Sequence, residues 1–121
     1  MGQKKIFNVA EILHNMPYEA ISVTIDKTTT GTVTENGRKI LKAGTILAGD
    51  GASVFADRTK KVKANTVKPD GVLLYDVDVT DADAAGALVY RGTLREDKVN
   101  GGTVSEEIQT ALKHIQFVKG V

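Results

Sequence analysis

Five aspartates, Asp70, Asp76, Asp78, Asp81 and Asp83, punctuate the otherwise apolar stretch PDGVLLYDVDVTDADAAGALVYRGTL. Carboxylates this dense have three common uses. They ligate calcium, they work in pairs as general acid and base, or they accept hydrogen bonds from backbone N–H groups at a polar turn. A helix–loop–helix calcium site needs oxygen ligands at its first, third and fifth positions, glycine at the sixth and glutamate at the twelfth. Counted from Asp76, the sixth position is Asp81 and the twelfth is Ala87. Counted from Asp78, they are Asp83 and Val89. Neither register closes a cage, so no metal site is assigned. Asp76 and Asp78 share one face of a regular strand. A hydrolytic carboxylate pair must instead face its partner across a substrate cleft. The expectation is therefore a polar hairpin tip whose aspartates cap backbone N–H groups and stay in water.

The other chemistry-bearing residues are isolated. His14 and His114 stand far apart and form no H-x-x-x-H or H-E-x-x-H pair. His114 is expected at the C-terminal end of a helix, where the dipole favours an imidazolium. Ser22, Ser53 and Ser105 are the only serines, and none sits in G-x-S-x-G. The chain has no cysteine, which excludes disulfides, thiolate nucleophiles and cysteine-ligated metals. The stretch AGTILAGDG lacks the G-x-x-x-x-G-K-[ST] phosphate loop and precedes no helical pattern. Gly44, Gly49 and Gly51 read as turn residues bounding a strand. No catalytic residue and no cofactor are assigned, and the expectation is a protein that is not an enzyme.

The elements that would position these residues are short. A chain of 121 residues is expected to form one domain with a single modest core. With three Phe, three Tyr and no Trp, that core must be aliphatic. Sixteen basic residues against fifteen acidic ones leave a net charge of +1, which argues against a nucleic-acid partner. The one basic run, Arg58 to Lys63, reads as a solvated strand or hairpin. No apolar run approaches the roughly 18 residues of a membrane span. The opening MGQKKIFNVAEIL lacks the apolar core of a signal peptide. A soluble protein with no membrane contact is expected.

Residues 1–17 read as an N-terminal arm or short helix, with Asn8 and Glu11 as a capping-box pair and Pro17 as its stop. Residues 18–121 read as one β-rich domain. YEAISVTID alternates as a strand, with Ile21, Val23 and Ile25 on one face. Asn36-Gly37 predicts a type I′ hairpin between TTTGTVT and RKIL. AGTILAGDG is a strand, and ASVFAD with KKVKANTV is expected to form a further hairpin. Pro69-Asp70-Gly71 predicts a turn with glycine in the left-handed region. VLLYDVDV should pair antiparallel with GALVYRGTL. VSEEIQTALKHI predicts the one longer helix, capped by Thr103 with Glu106, or by Ser105. Its apolar stripe is Ile108, Ala111, Leu112 and Ile115. IQFV closes the chain as a strand. Many short strands and one late helix indicate a mainly β fold.

The order of these segments resembles that of the lambda-type phage head decoration proteins, the head-stabilising or capsid cement family. KAGTILAGDGASVFAD resembles the family's opening strand and turn. DGVLLYDVDVTDADAAGALVYRGTLRED resembles its central hairpin, and EEIQTALKHIQFV its closing helix and strand. The resemblance covers roughly residues 40–121, while the first forty differ from the family's arm. It implies a compact, small β-barrel or β-tulip-like domain with one helix near the C-terminus and an N-terminal arm. It implies a bacteriophage structural protein, made in the host cytoplasm, that sits on the capsid exterior of the virion as a homotrimer bound to the major capsid protein. The arm would order against the shell, with Ile6, Phe7, Ile12 and Leu13 as its apolar anchors. The competing use of those four side chains is packing onto the protein's own core. A non-enzymatic β-barrel ligand-binding or adaptor module is the alternative function.

Overall fold

The computed structural model describes residues 12, 13 and 18–119. Among these, strand accounts for 42% and helix for 11%, so the domain is mainly β. Nine strands occur among the described residues, in chain order β1 (Glu19–Ile25), β2 (Val33–Glu35), β3 (Arg38–Leu41), β4 (Ile46–Gly49), β5 (Val62–Ala64), β6 (Gly71–Leu73), β7 (Val77–Asp78), β8 (Ala84–Arg95) and β9 (Ile115–Val118). The single α-helix among the described residues, α1 (Glu106–Ala111), precedes β9.

Five strands close into a barrel. The order runs β1, β5, β4, β6, β8, and β8 pairs back onto β1. All contacts around the ring are antiparallel except β1 with β5. Strand β8 spans twelve residues and does two jobs. Its first part completes the barrel, with Leu88 opposite Ile21 and Leu73. Its last part, Gly92 to Arg95, leaves the ring and pairs in parallel with β9. Leu13 bridges to Leu94 in the antiparallel sense, and the Arg95 N–H donates to the Ile12 carbonyl at 2.7 Å. A second sheet of β2, β3 and β7 flanks the barrel.

Two apolar clusters explain why the central strands read as unbroken apolar runs. Leu47, Leu73 and Leu88 join Ile25, Val54 and Val62 in one cluster. Their chain neighbours Ile46, Val72 and Val89 join Ile12, Leu94, Val99, Ile108, Leu112 and Ile115 in the other. Successive strand residues face opposite sides. Strands β4, β6 and β8 are therefore covered on both faces, from inside by the barrel core and from outside by α1, β9 and Ile12. Strand β1 is covered on one face at its end, and there the expected alternation holds: Ser22 and Thr24 are exposed, Val23 and Ile25 buried.

The Asn36-Gly37 hairpin forms with both central residues at positive φ, 52° and 77°, as a type I′ turn requires. Other expectations need correction. ASVFAD makes no strand. The Ala56 and Asp57 N–H groups both donate to the Ser53 carbonyl, which coils the segment into turns. KKVKANTV supplies β5, which pairs with β4 rather than with ASVFAD. Gly71 is not left-handed. It is the first residue of β6, and a Cβ there would strike the Val89 carbonyl and the Leu88 side chain. The helix is six residues long, shorter than VSEEIQTALKHI, because β8 claims Ile115 onwards as a strand. Ser105 caps it, its hydroxyl accepting from the Ile108 N–H. Ile108, Leu112 and Ile115 are buried as expected, but Ala111 is exposed.

Candidate functional site

The aspartates that drew attention in the sequence do not converge. Each holds a different piece of chain. Asp70, between β5 and β6, accepts from the N–H groups of Gly49 and Val54 at 2.8 and 2.9 Å through one oxygen. Its other oxygen accepts from the Ser53 hydroxyl at 2.7 Å. That hydroxyl in turn accepts from the Phe55 N–H. One carboxylate thus organises the whole turn after β4. Asp83 accepts from the Lys27 N–H at 2.8 Å and pairs with Lys61.

The strand half of the cluster separates from its expected partner. Val77 and Asp78 form β7, which pairs with β3 and not with β8. Two ion-pair groups line that junction. Asp76 accepts from the Ala43 N–H and pairs with Lys42, which also reaches Glu35. Arg38 donates to Asp78 at 2.8 Å and to Asp81 at 3.1 Å. The Arg38 guanidinium, with the Thr80 hydroxyl and N–H, holds the Asp78 carboxyl at about 2. Burial pushes the Asp76 carboxyl up, but the Ala43 N–H and the Lys42 ammonium outweigh it and leave it lowered. The Lys61 ammonium and the Lys27 N–H lower Asp83. Asp76, Asp78 and Asp83 thus shift towards their charged forms, opposite to what a general acid needs near neutral pH.

These pairs are solvated, so their weight is modest. They still carry a pH signature. The folded Asp78 carboxyl lies below its unfolded value of about 3.9. Its contribution is therefore complete above about pH 4 and fades as pH falls through about 2. Melting curves of the parent and of Asp78→Asn should differ by a constant amount above pH 5 and converge towards pH 2. A gap that widens on acidification contradicts the assignment.

Asp70 has the larger mechanical role. Asp70→Ala leaves two N–H groups and a hydroxyl without their acceptor and should lower stability by about 2 kcal/mol in urea denaturation. Asp70→Asn keeps one acceptor oxygen for the two N–H groups and should lose less than half of that.

No group of three or more His, Asp or Glu side chains among the described residues is placed to hold a metal ion. The exposed His114 lies in the turn after α1, and its carbonyl accepts from the Gly92 N–H. It is not a helix-terminal residue as expected. Ser53 and Ser105 are engaged as described, and Ser22 is exposed on β1. The basic run is engaged too: Arg58 donates to the Ser22 carbonyl, Lys61 pairs with Asp83, and Lys63 with Asp50.

Of the four arm anchors, Ile12 is 1% exposed and belongs to the core beneath α1. Leu13 is half-buried and packs against the same cluster. For these two, local packing is the observed use. Ile6, Phe7, His14 and the Asn8–Glu11 capping pair lie outside the described residues. No helix among the described residues is long and apolar enough to cross a membrane.

Sequence reasoning gave no role to one surface. Phe55 is 49% exposed, and its ring meets Tyr90 edge-on at 5.4 Å between centroids. A cleft of about 360 Å³ runs from this pair to the turn after α1. Phe55 falls in ASVFAD, which the sequence reads as a hairpin strand, and no periodic signal marks an exposed turn aromatic. No protein-family model matches the chain, and no curated protein matches it.

Proposed function

We propose that this chain is a capsid decoration protein, which binds the outside of an expanded phage capsid as a homotrimer and stabilises it. One observation carries the reading: the order of segments from Gly44 to Val118, which resembles that of the lambda-type decoration proteins. In the fold those segments are β4, the β6–β8 pair and the α1–β9 ending. The aspartates support it indirectly, because the structural work each performs removes the main argument for chemistry at that loop.

Such a protein works by mass action. Binding the expanded shell and not its precursor shifts the equilibrium towards the expanded state. A trimer on a three-fold axis makes three contacts at once, so avidity replaces strong single sites. The partner in this reading is the major capsid protein. The alternative is a non-enzymatic β-barrel ligand-binding or adaptor module, and the packing counts against one form of it, a barrel that carries a ligand inside. Ile25, Leu47, Val62, Leu73 and Leu88 are fully buried in the barrel cluster, and a five-stranded ring is too narrow to hold both core and ligand.

The test is to mix purified protein with expanded, undecorated capsids and image them by electron cryomicroscopy. Added density at three-fold positions is the expected result. Capsids that remain bare overturn the proposal.

A further inference from the structure

We infer that Asn36 is a self-modification site: the β2–β3 turn converts its own asparagine to aspartate and isoaspartate, while the fold protects Asn100 from the same reaction. This rests on the two turns and not on the capsid reading. The chain holds two Asn-Gly steps, Asn36-Gly37 and Asn100-Gly101. Glycine has no side chain to shield its backbone nitrogen, so the same chemistry is open to both. The Gly37 nitrogen gives its proton to solvent hydroxide and bonds to the Asn36 Cγ. The Cγ–Nδ2 bond breaks, and the departing nitrogen takes a proton from water and leaves as ammonia. Water then opens the succinimide ring. Addition at Cγ gives aspartate, and addition at the backbone carbonyl carbon gives isoaspartate. The reaction consumes water, releases ammonia and involves no oxidant or reductant.

The two asparagines start from similar backbones, at φ 52° and 50°. In the left-handed conformation the following nitrogen lies on the side away from Cβ, so the ring closes only after the turn opens. The ease of opening separates them. Strand β2 is an exposed edge strand paired only with β3. The Asn36 side chain and the Gly37 N–H make no hydrogen bond among the described residues. Fraying β2 from β3 breaks strand pairing and the solvated Lys42–Glu35 pair, but it uncovers no buried side chain of β2. Asn100 is tied down. Its N–H donates to the Gly44 carbonyl at 2.9 Å, its side-chain amide donates to the Thr103 carbonyl at 2.9 Å, and its carbonyl accepts from the Thr103 N–H. The preceding Val99 is fully buried. A turn so anchored opens only with the core around Val99. The product at 36 adds a negative charge, taking the formal net charge from +1 to zero. Isoaspartate also lengthens the main chain inside the turn that sets Glu35 opposite Arg38, so β2 loses its register on β3.

The test incubates the full chain in mildly alkaline buffer and then digests it with trypsin under mildly acidic conditions, beside an unincubated control. Cleavage after Lys27 and Arg38 yields peptide 28–38, and cleavage after Lys98 and Lys113 yields peptide 99–113. Mass spectrometry therefore reads each Asn-Gly step separately. In the native protein, conversion at Asn36 should run more than about tenfold faster than at Asn100. In denaturing urea the two rates should become similar. Gly37→Ala places its Cβ in open space and should slow conversion at Asn36 severalfold, in urea as well, while leaving Asn100 unchanged. Equal native rates, a faster Asn100, or conversion in urea alone overturns the inference. An excess at Asn36 that persists in urea overturns it too, because the local sequence and not the fold then sets the difference. So does a Gly37→Ala variant that converts as fast as the parent, because the Gly37 nitrogen is then not the attacking group.

Discussion

Gly44→Ala should lower the stability of the domain by about 4 kcal/mol, with a fall in Tm on the order of 15 °C. Two effects add at this position. Gly44 sits at φ +92°, a conformation that L side chains rarely adopt. A Cβ there would also strike the Lys98 carbonyl, which is backbone and has no freedom to rotate away. The surroundings are fixed by hydrogen bonds. The Gly44 N–H donates to the Leu73 carbonyl at 2.8 Å, and its own carbonyl accepts from the Asn100 N–H at 2.9 Å. Relief of the clash would pull the 98–100 turn away from β6. Gly37 separates the two effects. It has φ +77° and open space where a Cβ would go. Gly37→Ala should therefore show the conformational part alone, about 1 kcal/mol. Equal losses at the two sites in thermal denaturation would show that the contact with Lys98 contributes nothing.

Ile12→Ala should cost about 3 kcal/mol in the isolated protein. Ile12 is packed among Leu94, Val99, Val104, Ile108, Leu112 and Ile115, and its carbonyl accepts from the Arg95 N–H. Its truncation leaves a cavity in the cluster that β8 and α1 share. Ile12→Val should cost about 1 kcal/mol. This pair of variants also decides what the N-terminal side chains do. An anchor that orders only on a capsid contributes nothing to the free protein, so an unchanged urea midpoint for Ile12→Ala would return Ile12 to the arm. The expected loss makes it part of the domain. The arm of the decoration reading would then be confined to residues before it.

Much of the fold was legible because local signals and tertiary demands agreed. Asn36-Gly37 can make a type I′ turn almost anywhere, and it does so here. Ser22 to Ile25 alternate because one face of β1 meets water. The run VLL and the run ALV are apolar at every residue because both of their faces are covered, and such runs mark buried strands without naming their partners. Disagreements arose where a distant group overruled the local pattern. ASVFAD reads as one strand of a hairpin, but the Asp70 carboxylate takes the N–H of Val54 and the segment coils into turns. VSEEIQTALKHI carries a helical stripe through Ile115, but pairing with β8 ends the helix at Ala111. Gly71 looked like a turn glycine, and the true reason for it is the approach of β8.

The same division holds for the candidate sites. Ligand spacing and the lack of cysteine bear on chemistry through residue type and short-range geometry, and both are visible in one dimension. So was the backbone-capping role of the aspartates, since short carboxylates near turns find N–H groups close at hand. Which N–H groups they would find was not visible. Asp70 reaches back to Gly49 and Val54, Asp76 to Ala43, and Asp83 to Lys27, all through contacts that only chain closure creates. Likewise nothing in the sequence sets Phe55 beside Tyr90 and Lys113, because these residues come from a turn, a strand and a helix end. By itself the sequence determined a mainly β domain with an aliphatic core, because period and turn chemistry are local. Only the tertiary structure decided that the barrel closes through β1 and β8, that Ile12 lies inside, and that an aromatic cleft faces outward, because each is a long-range contact.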